Sequence, residues 1–373
     1  MIAIRNCKFF KDHQLISDQT VLVEAGKIKA FLTEEVPAGY RVIDANGQYL
    51  TPGFIELQIY GSGGNLFSAY PTVETLRQMD ADLISKGTTA FLVCLATNTM
   101  EVFYQAIDAA KAYRKEAKAF LGLHLEGPFL NAKRRGAHVE ALICKASLSE
   151  VKKLIEYADG TVKLMTIAAE LQDDEVIEYL LEQGIILSLG HSDASYEQAT
   201  AAFNKGISTT THLFNAMPSI HHRAPNLPVA VFNHPVAMAS IIADGQHVNF
   251  EVLKMSYHLM KERLFLITDA VTACEIGPYA HRLNGDKFVT ADGTLSGSNI
   301  TLLDAVRNCV NHCDVPLSSA FNMASLHPAR VLKKEEFLGS LSVGKKADLL
   351  ILDDDLVLQQ AFVAGVEHLI TNN

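Results

Sequence analysis

Residues 185–212 read IILSLGHSDASYEQATAAFNKGISTTTH. An apolar run, Ile185–Leu189, stops at Gly190-His191. A helical stretch over 196–205 follows, and a second strand pattern, Ser208–His212, again ends on a histidine. Strand, helix, strand at this spacing is a parallel pair joined by a crossover helix. Working outward, the same rhythm predicts strands at Phe54–Tyr60, Thr88–Leu95, Phe120–Glu126, Val162–Ala168, Ala237–Ala243 and Leu264–Asp269. Helices are expected over 72–86, 101–116, 148–158, 173–183 and 250–261. With the two strands of the opening stretch this makes eight units, which suits a (β/α)8 barrel; a doubly wound open sheet is the rival. The polar residues favour the barrel. Glu126, His191, His212 and Asp269 each stand where an apolar strand stops, on four different strands. A barrel gathers strand C-termini around one mouth, whereas an open sheet concentrates them at one crevice.

The two ends of the chain read differently. Thr20–Glu24 and Lys27–Leu32 flank Ala25-Gly26 as a hairpin, Arg41–Asp44 is a strand, and Asn46-Gly47 is a tight turn. Ala347–Leu352 and His368–Thr371 are strands near the other end. Both ends are therefore β-rich and the middle is not, so the expected fold class is α/β with a (β/α)8 barrel at its centre.

Composition narrows the function. The 373 residues carry 32 Lys and Arg against 42 Asp and Glu, a net charge of −10. That argues against a nucleic-acid or membrane-surface partner. No run approaches the roughly 18 apolar residues a span needs, and Met1–Asn6 has no secretory pattern, so a cytoplasmic enzyme is expected. The six cysteines lack a CxxC pair and read as reduced core residues.

A lone histidine or aspartate beside a strand is usually a hydrogen-bonded core residue or a helix cap. Four at one end of a barrel outweigh that reading. Two imidazoles and a carboxylate form a catalytic metal site with a position left for water. Asp269 is then a fourth ligand or a free base. His138 and His247 lie on loops at the same mouth; His221 and His222 read as solvated. Glu56, Gln58 and Tyr60 alternate on the first strand and share a face. Gly61–Gly64 reads as a flexible loop, and no phosphate-binding glycine motif is present.

Thr51-Pro52-Gly53-Phe54-Ile55-Glu56 and Gly344-Lys345-Lys346-Ala347-Asp348-Leu349 resemble boundary motifs of the amidohydrolase superfamily. His124-Leu125-Glu126-Gly127-Pro128-Phe129, Gly190-His191-Ser192, Thr211–Met217 and Thr268-Asp269-Ala270 resemble its N-acetylglucosamine-6-phosphate deacetylase family, in order along the whole chain. The resemblance implies a TIM-type barrel over 52–340 with a small β-sandwich domain formed from 1–51 and 341–373, and hydrolysis of the acetamide of that sugar phosphate to glucosamine 6-phosphate and acetate. It implies one divalent metal, zinc first with iron, cobalt or manganese as alternatives, held by Glu126, His191 and His212. It implies Asp269 as the acid/base and His138 as the group polarising the carbonyl. Substrate contacts are implied for Ala137, His138, Asn215, Ala216, Arg223, His247 and Leu295-Ser296-Gly297. A homodimer is implied, with phosphate contacts from the neighbouring subunit.

Two departures stand out. Many amidohydrolases have His-x-His on the first strand and bind two metals; here those positions are Gln58 and Tyr60, so one metal is expected. Around Arg223 the sequence is His222-Arg223-Ala224-Pro225-Asn226, where glycines are common, which leaves room for the galactosamine isomer. Other readings are a cyclic-amide amidohydrolase, a non-catalytic sugar-phosphate sensor and a metal-free barrel isomerase. The first usually needs a modified lysine, and the fourth strand ends without one; the second would have lost a ligand or Asp269.

Overall fold

A computed structural model describes residues 1–370. The strands of the middle region are continuous apolar runs because both of their faces are covered, the pattern expected of a parallel sheet beneath helices. They are β1 Phe54–Ile59, β2 Thr88–Ala96, β3 Phe120–Glu126, β4 Val162–Ile167, β5 Ile186–Leu189, β6 Thr209–Thr210, β7 Met238–Ile242 and β8 Leu264–Ile267. They lie side by side in strictly sequential order, each parallel to the next. A doubly wound sheet reverses its strand order part-way, so sequential order excludes that rival.

The ring closes between β8 and β1 without a regular ladder. Asp269 N donates to Gln58 O (3.0 Å) and Tyr60 N to Ala270 O (2.9 Å). Deeper down, the Glu56 carboxylate takes the place of missing rungs, accepting from Gln58 N (2.9 Å) and Thr268 N (3.0 Å). Burial pushes this carboxyl up to about 8, against those two donors.

The expected helices form as α1 Val73–Ser85, α2 Met100–Tyr113, α3 Leu148–Ala158, α4 Asp174–Glu182, α5 Tyr196–Asn204 and, after an unforeseen short α6 (Leu227–Asn233), α7 Phe250–Met260. Thr72, Thr99, Ser147 and Ser195 cap α1, α2, α3 and α5 through side-chain oxygens. Beyond β8 the chain adds α8 Leu302–Cys313, α9 Leu317–Ala324 and α10 Leu326–Val331. Leu266 and the helix residues Val306, Cys309 and Phe321 belong to one buried core.

The terminal strands pair as two four-stranded sheets. One contains Ile2–Arg5, Thr20–Glu24, Lys27–Leu32 and Arg41–Asp44; the other contains Tyr49–Pro52, Leu349–Leu352, Leu358–Val363 and Val366–His368. Ile4, Val21, Ile28, Leu50, Ile351 and Phe362 form their shared core. Ala25 and Gly26 take the positive φ that a tight hairpin needs.

Several expectations change. The last terminal strand is Val366–His368 rather than His368–Thr371, and Thr371 lies outside the described residues. Gly61–Gly64 is part of a small hairpin in which Gly61-Ser62 pairs with Asn65-Leu66. The sixth strand keeps only two residues, because at His212 the backbone turns to φ 32°. All six cysteines are free, as a reduced core requires, though Cys144 is exposed. No described helix is long and apolar enough to cross a membrane.

Candidate active site

Glu126, His191, His212 and Asp269 meet at the C-terminal mouth of the barrel. His191, His212 and Asp269 each follow their strand with a positive φ, 47°, 32° and 55°. Such geometry costs about 1–3 kcal/mol per non-glycine residue and concentrates at functional sites. Here it turns the chain off the strand with the side chain at the mouth. Gly190 gives His191 room: a Cβ there would meet Thr211 Cβ at 2.6 Å and Thr166 Cγ2 at 2.8 Å.

Glu126 is the hub, and it is 1% exposed. Its Oε1 lies 3.2 Å from His191 Nε2 and 3.1 Å from His212 Nε2, and those nitrogens are 3.1 Å apart. The Nδ1 of His191 lies 2.9 Å from Arg134 O. A carbonyl only accepts, so Nδ1 carries the proton and Nε2 presents a lone pair to the cluster. The chemistry of this donor set fits a divalent cation: carboxylate oxygen and imidazole nitrogen converge on one point, all within 4.8 Å of one another.

The other carboxylate oxygen is occupied differently. Glu126 Oε2 accepts from the Tyr60 hydroxyl and lies 3.0 Å from His138 Nε2. Thr97 N donates to His138 Nδ1 (3.3 Å), so the His138 proton sits on Nε2 and points at Oε2. Gln58 Nε2 reaches Glu126 Oε1 (3.0 Å), Tyr60 Oη (2.9 Å) and Asp269 Oδ1 (2.8 Å), bridging the two carboxylates. Gln58 and Tyr60 are thus hydrogen-bond partners of both acids. Burial by itself raises the Glu126 carboxyl, but the imidazoles of His191 and His138 outweigh it and hold the group well below its ordinary range. Asp269 goes the other way: burial pushes it up to about 8, with His212 opposing and Glu126 reinforcing the rise. Burial likewise raises the Tyr60 phenol well above its ordinary value, which keeps it a donor.

A second polar layer lies beneath. His124 Nδ1 is 3.0 Å from Leu57 O, and its Nε2 is 2.8 Å from Thr166 Oγ1. Thr166 continues to Thr211 (2.7 Å) and Thr211 to Ser188 (2.5 Å). Burial drives the His124 imidazole down to about 4, so it is neutral and its hydrogen bonds have one direction. This chain links the strands that lead to Glu126, His191 and His212.

Above the hub opens a cleft with about 750 Å³ of non-atom space, its mouth included. Its concave form, with a few polar groups converging on one floor, suits a small-molecule ligand. Glu126, His138, His191, His212 and Asp269 form its floor, and Ala137, Asn215, Ala216, His247 and Leu295-Ser296-Gly297 line it. Arg223 is the exception. It is exposed, pairs with His222 (2.9 Å) and is absent from the lining.

Some of the surroundings escaped the sequence reading. Asp244 Oδ2 lies 2.6 Å from His247 Nδ1, so it orients that ring. Tyr279 and His281 line the cleft on the segment leading into an antiparallel hairpin sheet of Arg282–Asn284, Lys287–Val289 and Leu295–Ser298. His281 Nδ1 is 3.0 Å from Ser296 Oγ.

The profile of the amidohydrolase family matches residues 49–369. The chain belongs to the amidohydrolase family. Within it, a relative from Haemophilus influenzae named N-acetylglucosamine-6-phosphate deacetylase is 33% identical over 361 residues, 94% of each chain. A crystal structure of N-acetylglucosamine-6-phosphate deacetylase from Pasteurella multocida superposes with a TM-score of 0.92 at 32% identity, covering 99% of both chains. A relative from Escherichia coli O157:H7 named N-acetylgalactosamine-6-phosphate deacetylase is 30% identical, over 97% of this chain and 98% of its own.

Proposed function

We propose that this amidohydrolase removes the acetyl group from N-acetyl-D-glucosamine 6-phosphate, giving glucosamine 6-phosphate and acetate. The observation that carries the reading is Glu126 Oε1 between the Nε2 atoms of His191 and His212, with the Asp269 carboxyl one amide bridge away, at the floor of the cleft. Full-length similarity to deacetylases of that substrate supports it.

Glu126, His191 and His212 would hold one divalent cation, zinc first among the candidates, with iron, cobalt and manganese able to use the same donors. When bound, the cation supplies Lewis acidity, polarising the amide carbonyl and making water more acidic. Asp269 takes the proton from the attacking water and returns it to the departing amine nitrogen. It serves both steps because Gln58 occupies only Oδ1. A carboxyl raised to about 8 by burial is a poor base at neutral pH. A positive charge among Glu126, His191 and His212 would lower it and keep the carboxylate ionised, free to accept a proton. His138 carries its proton on Nε2, at the floor of the cleft, where it donates to the carbonyl oxygen as negative charge develops. Gln58 and Tyr60 supply donors to the acids, which supports one cation rather than two.

His247, held by Asp244, binds the sugar phosphate together with Asn215, Ala216 and Leu295-Ser296-Gly297. Arg223 lies outside the cleft of its own chain, which supports a homodimer in which this arginine serves the neighbouring subunit's phosphate. We place the catalytic unit at 52–340, the small β-sandwich at 1–51 with 341–373, and the enzyme in the cytoplasm. Acetate release from the glucosamine and galactosamine forms of the substrate, compared by kcat/KM, tests the reading. The proposal expects preference for the glucosamine form. The 30% identity to a galactosamine-form deacetylase makes the reverse the competing reading.

A further inference from the structure

We infer that Tyr60 is a positioning residue, whose hydroxyl holds the second oxygen of Glu126 so that the first alone faces the cation. The inference rests on the proposed cation-dependent hydrolysis and concerns a side chain that lines the cleft and acts through Glu126.

Glu126 has two oxygens with separate tasks. Oε1 faces the Nε2 atoms of His191 and His212. Among the described residues, Oε2 accepts from two donors, the Tyr60 hydroxyl and His138 Nε2. In the proposed reaction His138 turns its proton to the substrate carbonyl. Tyr60 is then the group left on Oε2. Gln58 cannot replace it, because its Nε2 lies beside Oε1 and has two protons for three acceptors, Glu126 Oε1, Asp269 Oδ1 and Tyr60 Oη. The Tyr60 hydroxyl lies 2.9 Å from Gln58 Nε2 and donates to Glu126 Oε2. Its ring belongs to a buried cluster that includes Cys94, Ala96 and Val271. Groups that hold a metal ligand in place are commonly worth 10–100-fold in affinity or activity.

Tyr60→Phe removes the hydroxyl and keeps the ring. Cation-free parent and variant are first compared by thermal unfolding, which should agree within a few degrees. Zn2+ affinity is then measured by competition with a chromophoric chelator, and kcat and KM from acetate release. The expected result is a roughly tenfold loss of Zn2+ affinity and at least a tenfold loss of kcat, with KM within about threefold. If Tyr60→Phe does not fold, Tyr60→Met fills the space without a donor and carries the same expectation. Zn2+ affinity and kcat both within twofold of the parent, or tighter Zn2+ binding, would overturn the inference and leave Tyr60 a packing residue. The cation titration uses no substrate. A parent that binds Zn2+ yet releases no acetate therefore contradicts the proposed substrate and not the role of Tyr60.

Discussion

Replacing Asp269 by Asn separates the proton-transfer step from cation binding. Asp269 Oδ1 accepts from Gln58 Nε2 at 2.8 Å, and its backbone N–H closes the barrel on Gln58 O at 3.0 Å. An asparagine oxygen takes over the first bond and the backbone keeps the second, so neither fold nor ring closure is disturbed. The cation donors, Glu126, His191 and His212, are untouched. What disappears is the group that accepts and returns a proton. A positioned acid/base contributes about 10²–10⁴-fold, or roughly 3–5 kcal/mol at 1.36 kcal/mol per decade. The expected outcome is a kcat lower by at least about 10²-fold, with metal content equal to the parent and KM within a few fold. Steady-state acetate release and elemental analysis on the same preparation measure all three. A variant with full metal and near-parental kcat would refute the assignment, and a variant without metal would make Asp269 a ligand.

Three other outcomes follow from the geometry. Glu126→Gln sets an amide either against two donors at Oε2 or beside Gln58 at Oε1, and removes the negative charge between His191 and His212; elemental analysis should find the metal lost, and a fully loaded variant would contradict the ligand set. Gly190→Ala drives a Cβ into Thr211 and Thr166, so the denaturation midpoint should fall by the equivalent of about 1–3 kcal/mol with weaker Zn2+ binding, whereas parental stability would show that the close approach is not real. Burial drives the His327 imidazole down to about 4 from an unfolded value near 6.5. Between those values the unfolded chain holds the proton and the folded chain does not, so this group's stability is present above about 6.5 and lost as pH falls through about 4. His327→Phe should therefore flatten the rise of stability from pH 4 to 6.5 by up to one proton, about 1.4 kcal/mol per pH unit; identical slopes in parent and variant would contradict the buried neutral imidazole.

The barrel was legible because its strands are continuous apolar runs with a chemical residue at each end, a pattern that survives without the structure. The clustering of Glu126, His191 and His212 was legible for the same reason. The first-strand network was not. Gln58 meets Glu126 and Asp269 across 68 and 211 residues of chain, and nothing local to Gln58 or Tyr60 announces those partners. Glu56 was read as sharing their face, yet its closure of the ring depends on β1 returning to β8. The hairpin sheet beside the cleft had a signal: Gly285-Asp286 joins two strands as a two-residue loop with glycine at φ 64°. It was missed because Arg282–Asn284 is exposed throughout and shows no alternation. The orientation of His247 by Asp244 was within reach, three residues apart, but required seeing the loop fold back on itself.

The most direct test of the account is acetate release from N-acetyl-D-glucosamine 6-phosphate before chelation, after chelation and after return of one equivalent of Zn2+ per chain. The account predicts activity in the first state, at least about a hundredfold loss in the second, and recovery with that single equivalent. Undiminished acetate release from protein shown to be free of metal would contradict it.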